Sequence, residues 1–560
     1  MGHSRWNLLP PVPSGHVINE CGYSRVVSQI LYNRGLHEPS QLEAFIAADA
    51  RLAADPALLP DIHLAVGRIY RALLSGEKIA IYGDFDTDGI TATALLVEGL
   101  SALNCPAVPY IPHRQNEGYG VNTAALEELS QQGISLVITV DCGISAVKEV
   151  KRAHKLGIDV IITDHHTPQE EIPPAVAVVN PKMPGSRYPS TELAGVGVAF
   201  KLLQALFQGM GKENQLGELL DLVALGTVAD MIPLLGENRY LVSQGLKQIN
   251  ASPRLGLREI MTQSGSNATS IDSESIGWVI APRLNAAGRL AHAMSSYQLL
   301  MTDSPQEARE LATWLEKNNK ERQSLTSKAQ TKARDHVLSH SLTPLLFVTD
   351  PDFPAGVCGL VAGRLAEEFY RPAVVVRTGE QFSGGSCRSI PEFNIIHALT
   401  RYRDLFSNFG GHAQAAGFGL PTRNLPQLQH ALIQLATEQL AGVDLRSRLD
   451  IDVTVKLTDL GGDTFPMIQK LAPFGQGNPA PTFLSRNVDV VDCRPMGNNG
   501  GHLRLKVKQA GKIWDGVAFD MGGCLNEVAS PLDIVYRLEM DNWNGDGRLR
   551  LNILDFTPGK

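Results

Sequence analysis

Residues 78–92 read KIAIYGDFDTDGITA, and the fold turns on this stretch. KIAIY is a short apolar run, as expected of a strand buried on both faces. ITATALLVEGL, at 90–100, continues with helical spacing. Asp84, Asp86 and Asp88 lie between the two. If extended geometry continues past Tyr82, alternate side chains point the same way and three carboxylates converge at the strand's C-terminal end. Like charges a few ångströms apart cannot all stay ionised without a cation. D-x-D-x-D-G also imitates the start of a calcium-binding EF-hand loop. The twelfth position of that loop falls on Leu95 rather than Glu, and the flanks are strand-like, so that reading is rejected.

SLVITV (135–140), DVIITD (159–164) and AVAVVN (175–180) are further short Val/Ile-rich runs. AALEELSQQG and AVKEVKRAHKLG, between them, have helical spacing. Strands alternating with helices over about 65–235 predict an α/β fold with a parallel, doubly wound sheet. Ligands in such sheets bind outside the C-terminal strand edges. TVDCGIS supplies Asp141 there, and IITDHHTP supplies Asp164, His165 and His166. LVALGTVADMIPL closes an apolar helical stretch with Asp230. Carboxylates mixed with imidazole suit Mn²⁺ or Mg²⁺ better than a thiolate-seeking metal. The groups suffice for two cations about 3.5–4 Å apart. Each piece also has a plainer reading. A strand-end Asp is commonly a turn or N-cap residue, an adjacent His pair is commonly half-solvated, and Asp230 could simply end its helix. The triple Asp after a buried strand is the piece that resists explanation without a metal.

The chain has 560 residues, 43% hydrophobic and 19% charged, which is ordinary for a multidomain globular protein and excludes a disordered or collagen-like chain. No apolar run reaches the roughly 18 residues of a membrane span, so no membrane association is expected. MGHSRWNLLPPVPSG lacks a basic segment followed by an apolar one, and the seven cysteines form no C-x-x-C pair. A cytoplasmic protein without a disulfide framework is the expectation. The formal net charge of -8 does not exclude nucleic acid, because a carboxylate-lined metal site can make a nuclease acidic overall.

Five segments are expected. Residues 1–60 form a helical lead-in and 61–303 a catalytic α/β domain. Residues 304–340 form one long polar connecting helix, with Glu316/Lys320 and Lys317/Glu321 placed to pair on its exposed face. A second α/β domain follows at 341–442. A small β-barrel occupies 443–560, with strands at LDIDVTVKL, RNVDVVDC, HLRLKVKQ, LDIVYRLEM and LRLNILDF, and turns such as GNNGG and NWNGDG (542–547).

The order YGDFDTDG, TVDCGI, TDHH, LVALGTVADMIPL resembles the DHH phosphoesterase superfamily. APRLNAAGRL (281–290), CGLVAGRL, SGGSCRSI, FNIIHAL, FGGHAQAAGF and APFGQGNPAPTF extend the likeness across nearly the whole chain. Within the superfamily the chain resembles the RecJ family of single-strand-specific 5'→3' DNA exonucleases, built from a DHH domain, a DHHA1 domain and an oligonucleotide-binding (OB) barrel. The resemblance implies a metal-dependent exodeoxyribonuclease acting in DNA repair and recombination, using two divalent ions, Mn²⁺ or Mg²⁺. It implies Asp84, Asp86, Asp88, Asp141, His165 and Asp230 as metal-site residues, with Asp141 bridging the ions. Asp164, His165 and His166 are the implied catalytic triplet. Asp164 would orient a histidine, while His166 is left as ligand, phosphate contact or proton donor.

In IPHRQNEGYGVN (111–122) the resemblance implies that Arg114 holds phosphate and Tyr119 stacks on or wedges between bases; the plainer reading is an incidental surface loop. Gly384 and Gly385 would bring backbone N–H groups to a phosphate, with Ser386 and Arg388 adding donors. Gly410, Gly411 and His412 follow the same logic. Asn285, Arg283 and Arg289 are further candidates for DNA contact. One departure stands out: the family pattern Trp-His is replaced by Phe353-Pro354, which removes an imidazole. The barrel is expected to bind single strands, to act as a structural clamp that closes the cleft, or to dock a partner. Implied partners are the 5' end of single-stranded DNA, a single-strand-binding protein and a helicase. The competing readings are a small-nucleotide phosphodiesterase of the same superfamily and a non-catalytic replication scaffold.

Overall fold

In the computed structural model the described residues are 4–114, 116–265, 270–497, 499–541 and 548–559. The turn expected at 542–547, and Asn498 of GNNGG, lie outside them. The chain divides into two compact units. One comprises Val12–Asn319 with Asp463–Ala480. The other comprises the chain up to Pro11, Lys320–Gly462 and the chain from Pro481 on.

The first unit is built on five parallel strands: β1 (Ile79–Gly83), β2 (Ala107–Tyr110), β3 (Leu136–Val140), β4 (Asp159–Thr163) and β5 (Ala177–Val179), in the order β2-β1-β3-β4-β5. The doubly wound sheet is as expected. Alternate strand residues feed two separate cores. Ile79, Ile81, Leu136 and Ile138 face helix Ile62–Ser75, α1 (Thr87–Ala102) and α2 (Gly195–Gln208). Ala80, Tyr82, Val137 and Val160 face helices Thr123–Gln131 and Val147–Lys155. This two-sided burial explains why the strands read as unbroken apolar runs. Helix α3 (Leu220–Ala229) packs on α1 and delivers Asp230 as its C-cap.

The connecting helix, α4 (Pro305–Leu338), runs from one unit into the other. Its apolar stripe sends Ala308, Ala312 and Leu315 into the first unit's core and Ala329, Ala333 and Val337 into a core of the second. The exposure predicted for Glu316 is corrected. Glu316 is buried and bonds Arg283 Nε at 2.7 Å, because its position falls on that stripe.

In the second unit, β6 (Leu346–Asp350), β7 (Ala373–Arg377), β8 (Phe382–Arg388), β9 (Asn408–His412) and β10 (Ala415–Pro421) form a sheet in the order β9-β10-β8-β7-β6. The barrel strands are β11 (Phe483–Met496), β12 (His502–Gln509), β13 (Lys512–Ala518), β14 (Leu532–Asp541) and β15 (Arg548–Pro558). They pair in the order β11-β12-β13-β15-β14, and β14 returns to β11, closing a five-stranded barrel. One strand assignment changes. LDIDVTVKL is not among the five: it breaks at the buried Asp452, which accepts from the Thr482 N–H at 3.0 Å. Arg448–Ile451 pairs with strand Arg5–Leu8, while Val453–Thr454 joins the barrel's sheet at its edge, parallel to Phe483–Leu484. KIWDGVA supplies the missing strand, its alternation hidden by Asp515 and Gly516. Among the described residues no helix is long and apolar enough to cross a membrane.

Candidate metal centre

The three aspartates converge, but not by strand alternation. β1 ends at Gly83 and the chain turns directly into α1, so the carboxylates gather around a helix N-terminus. Asp86 is the N-cap and accepts from the N–H of Asp88 (2.9 Å) and of Gly89 (3.2 Å). Only glycine fits at 89, since a Cβ there would lie 2.5 Å from the Asp84 carbonyl oxygen. Asp88 turns back into the unit and accepts from the Gly195 and Val196 amides at 2.6 and 2.8 Å, at the start of α2. A Cβ on Gly195 would meet the Asp141 Cβ at 2.5 Å, so α2 presses on the cluster through a bare backbone. These amide donors were not anticipated; the Gly-Val-Gly opening of α2 was the only available signal.

Asp141 follows β3 in the left-handed region, φ +59°. Its Oδ1 lies 3.0 Å from His165 Nε2 and 3.9 Å from His166 Nδ1. His165 Nε2 is also 3.6 Å from an Asp230 oxygen and 3.9 Å from an Asp88 oxygen. Three overlapping groups could each hold an ion: Asp84–Asp86–Asp141, Asp88–His165–Asp230 and Asp141–His165–His166. Asp164 is fully buried and accepts from three backbone N–H groups, those of Ile144 (2.9 Å), His165 (2.7 Å) and His166 (3.0 Å). It also bonds His166 Nδ1 at 2.8 Å.

The electrostatics are those of a cluster lacking its counter-charge. Burial first, and the Asp86 charge second, push Asp84 well above the ordinary carboxylate range and Asp88 up to about 7. Asp141 is raised well above it by burial and by the charges of Asp88, Asp86, Asp84 and Asp230. Asp230 is pushed up to about 8 by burial and by Asp88 and Asp86. Burial, with the His166 charge, takes His165 down to about 3, leaving a neutral imidazole fit to ligate. Burial opposes ionisation of Asp164, but its bond to His166 outweighs this and holds it below the usual range. Burial likewise opposes a charged His166, and the Asp164 bond raises it nonetheless. Asp84 Oδ1 is buried with no hydrogen-bond partner. An orphaned buried carboxylate oxygen among repelling neighbours, beside a neutral imidazole, fits a divalent cation.

Two neighbours frame the cluster. The Tyr119 hydroxyl lies 3.3 Å from both the Asp141 carbonyl oxygen and His166 Nδ1, while its side chain stays exposed. Arg114 stacks 4.6 Å above the Phe85 ring. Glu117 orders their loop, accepting from Tyr110 Oη (2.7 Å), the His113 N–H (2.6 Å) and Asn122 Nδ2 (3.1 Å). Asn285 is placed under the aspartate loop, its amide oxygen accepting from the Thr87 N–H at 2.9 Å. Arg283 bonds Glu316 and the Val279 carbonyl, and Arg289 lies half-buried on the last turn of the same helix.

Ser386, Arg388, Gly410, Gly411 and His412 lie in the second unit, on strands β8 and β9, which flank β10. The expectation for Gly384 and Gly385 is corrected: β8 is an interior strand, so the ladders to β7 and β10 take up their backbone groups. Gly385 makes room for the Phe418 ring, which a Cβ would meet at 2.3 Å. Gly410 and Gly411 sit on the edge strand β9 with exposed backbone. Phe353 is buried against α4, and Pro354 precedes a short turn.

Family models match three stretches: DHH family, N-terminal domain, at 78–227; DHHA1 domain at 342–438; and RecJ OB domain at 451–555. The single-stranded-DNA-specific exonuclease RecJ of Bacillus subtilis is 38% identical over 95% of this chain and 67% of its own length. Its namesake from Salmonella typhimurium is 35% identical over 89% of this chain and 91% of its own. The chain belongs to the RecJ family. The crystal structure of RecJ from Thermus thermophilus in complex with Mn²⁺ superimposes with a TM-score of 0.84 at 30% identity, covering 99% of this chain and 80% of that one. Its Mg²⁺ complex gives 0.80 at 29% identity. RecJ proteins have thus been crystallised with either cation.

Proposed function

We propose that this RecJ-family chain is a single-stranded-DNA-specific exonuclease that hydrolyses phosphodiester bonds from the 5' end. The observation that carries the reading is the convergence of Asp88, Asp141 and Asp230 on the neutral imidazole of His165, with Asp84 and Asp86 gathered on Asp141 beside it. Asp84, Asp86 and Asp141 would hold one divalent ion, and Asp88, His165, Asp230 and Asp141 the other. When bound, such a pair activates water as a nucleophile and stabilises the leaving oxygen.

The chain's own residues do the rest. Asp164 bonds the His166 ring and favours its charged form, so that His166 can hold a phosphate oxygen or give a proton to the departing oxygen. Arg114 offers a planar fork to the terminal phosphate. Tyr119 presents an aromatic face on which bases of any identity can stack. Ser386, Arg388, His412 and the exposed edge at Gly410–Gly411 are assigned to strand binding, with Asn285 and Arg289 in support. Action in repair and recombination, in the cytoplasm and beside a single-strand-binding protein and a helicase, belongs to the same proposal.

The test is incubation with Mn²⁺ and end-labelled oligonucleotides of several lengths. Long single strands should shorten from the 5' end, and duplexes should resist. Cleavage confined to di- or tetranucleotides would instead mark a small-nucleotide phosphodiesterase. Binding without cleavage would mark a scaffold.

A further inference from the structure

Asp230 differs from the other acidic groups of the cluster in its origin. Asp84, Asp86, Asp88 and Asp141 come from strand ends and the turn into α1. Asp230 comes from the end of α3, and the chain leaves it through Met231 in the left-handed region, φ +57°. Where its carboxylate stands therefore depends on what holds the next few residues. Helix Gly236–Ala251 opens with Glu237, Asn238 and Arg239, all buried, Arg239 completely.

Each of the three ties down a different stretch of chain. Glu237 bonds Lys201 Nζ (2.9 Å), the Ala54 N–H (3.0 Å) and the Tyr188 hydroxyl. Asn238 donates to the Glu192 carbonyl, just ahead of α2, and to the Pro233 carbonyl at 3.2 Å. Arg239 donates to the carbonyls of Phe45 (2.6 Å), Leu471 (2.8 Å) and Ala472 (2.8 Å), with Lys470 at 3.3 Å. Its guanidinium lies 3.7 Å over the Phe45 ring.

The partners of Arg239 at 470–472 belong to Asp463–Ala480, a segment distant in sequence that packs within this unit. The same segment meets the Asp230 loop directly. Its Gln476 carbonyl accepts from the Leu234 N–H at 2.8 Å. Gly475 and Gly477 lie against that loop so closely that a Cβ would stand 2.8 Å from Leu234 Cδ1 and 3.0 Å from Pro233 Cβ. Burying a guanidinium carries a desolvation cost that apolar packing would avoid. A five-donor fork that gathers carbonyls from two chain segments is what fixed geometry, rather than mere adhesion, requires.

We propose that the Lys470–Gly477 segment, gripped by Arg239, is a positioning element for the metal centre: it braces the Met231–Leu235 loop and so sets the Asp230 carboxylate against His165 and Asp88. The proposal rests on the reading of the cluster as a divalent-ion site.

Its test is calorimetric titration of Mn²⁺ into the full chain, with kinetics on a single-stranded oligonucleotide alongside. Gly477→Ala puts a methyl against Pro233 at a position of φ +72°. Arg239→Lys keeps the charge and loses the fork. Both should weaken Mn²⁺ binding about tenfold or more, the loss typical when the outer partners of a metal ligand are removed. Both should lower kcat while leaving KM for the strand in place. Tyr70→Phe, which loses a bond to the Leu206 carbonyl in the same unit, is the stability control: it should lower the melting temperature and leave Mn²⁺ affinity unchanged. Wild-type Mn²⁺ affinity in Gly477→Ala overturns the proposal, and that variant decides alone if Arg239→Lys does not fold. A wild-type chain that binds no Mn²⁺ sinks the reading of the cluster itself, and the proposal with it.

Discussion

The Asp164 carboxylate bonds the His166 ring at 2.8 Å and three backbone amides besides, so one buried oxygen pair fixes both the charge and the direction of its neighbour. Asp164→Asn turns an acceptor into a donor that faces N–H groups. This should cost about 1–3 kcal/mol of stability, the penalty for an unsatisfied buried donor. It also removes the largest influences that raise His166, leaving only the charges of Asp230 and Asp88 to oppose the downward pull of burial. Titration of the His166 ring signals by NMR should therefore show a lower pKa in the variant. An unchanged value would mean that the 2.8 Å contact does not govern the protonation of His166.

Asp141 is the most crowded carboxylate of the cluster, and asparagine tolerates its left-handed backbone. Asp141→Asn should melt higher than wild type in EDTA, because it removes a repelled charge. The same variant should lose cleavage by roughly a thousandfold or more, taking several kcal/mol of transition-state stabilisation as the contribution of a divalent ion. Thermal unfolding and oligonucleotide turnover on one preparation check both. A variant that loses activity and melts lower in EDTA would contradict the repulsion argument.

Asp88 and Asp230, pushed to about 7 and about 8 by burial and by their neighbours, titrate far above the ordinary 3.8. Between those values the folded metal-free chain holds protons that the unfolded chain has released. The contribution of these two groups to stability is therefore fully present below the ordinary carboxylate pKa and is lost as pH rises through the raised ones. A bound cation replaces those protons, so the rise in melting temperature caused by Mn²⁺ should grow from about pH 6 to about pH 8. Differential scanning calorimetry at several pH values measures this. A constant increment would show that the carboxylates are not the ligands.

Arg114 stands over Phe85, and the task proposed for it is to hold the terminal phosphate. Wild type should prefer 5'-phosphorylated over 5'-hydroxyl oligonucleotides, and Arg114→Ala should erase most of that preference. A charge-assisted hydrogen bond of about 1.5–3 kcal/mol corresponds to roughly ten- to hundredfold in kcat/KM. Equal loss on both substrates would give Arg114 a different task.

Much of this was legible because burial leaves a simple trace. A strand covered on both faces must be apolar throughout, and the acidic residues that follow such runs are conspicuous. The gathering of Asp84 through Asp88 was readable, but its cause was not, since a strand continued by two residues and a turn into a helix N-cap look alike in one dimension. Residues that act by hydrogen-bonding a distant backbone left no trace. Asn285 stood out only as a candidate DNA contact and not for its bond to the Thr87 N–H, and nothing about Arg239 announces its carbonyl partners at 470–472. Glu316 was misplaced for a related reason: an acidic residue on a polar helix gives no sign that a buried arginine faces it. The strand KIWDGVA was hidden because barrel curvature tolerates a glycine where a pattern search expects a side chain.

Strand Arg5–Leu8 lies beside Arg448–Ile451, and the Trp6 indole donates to Asp555 at 2.9 Å. The other unit is likewise closed by chain from 463–480. Both units thus depend on contacts between segments hundreds of positions apart, the arrangement that slows folding most. On the ribosome, the part bearing the acidic cluster must wait for residue 480 to emerge before its last piece can seat, so a nascent or prematurely terminated chain carries an unfinished nuclease.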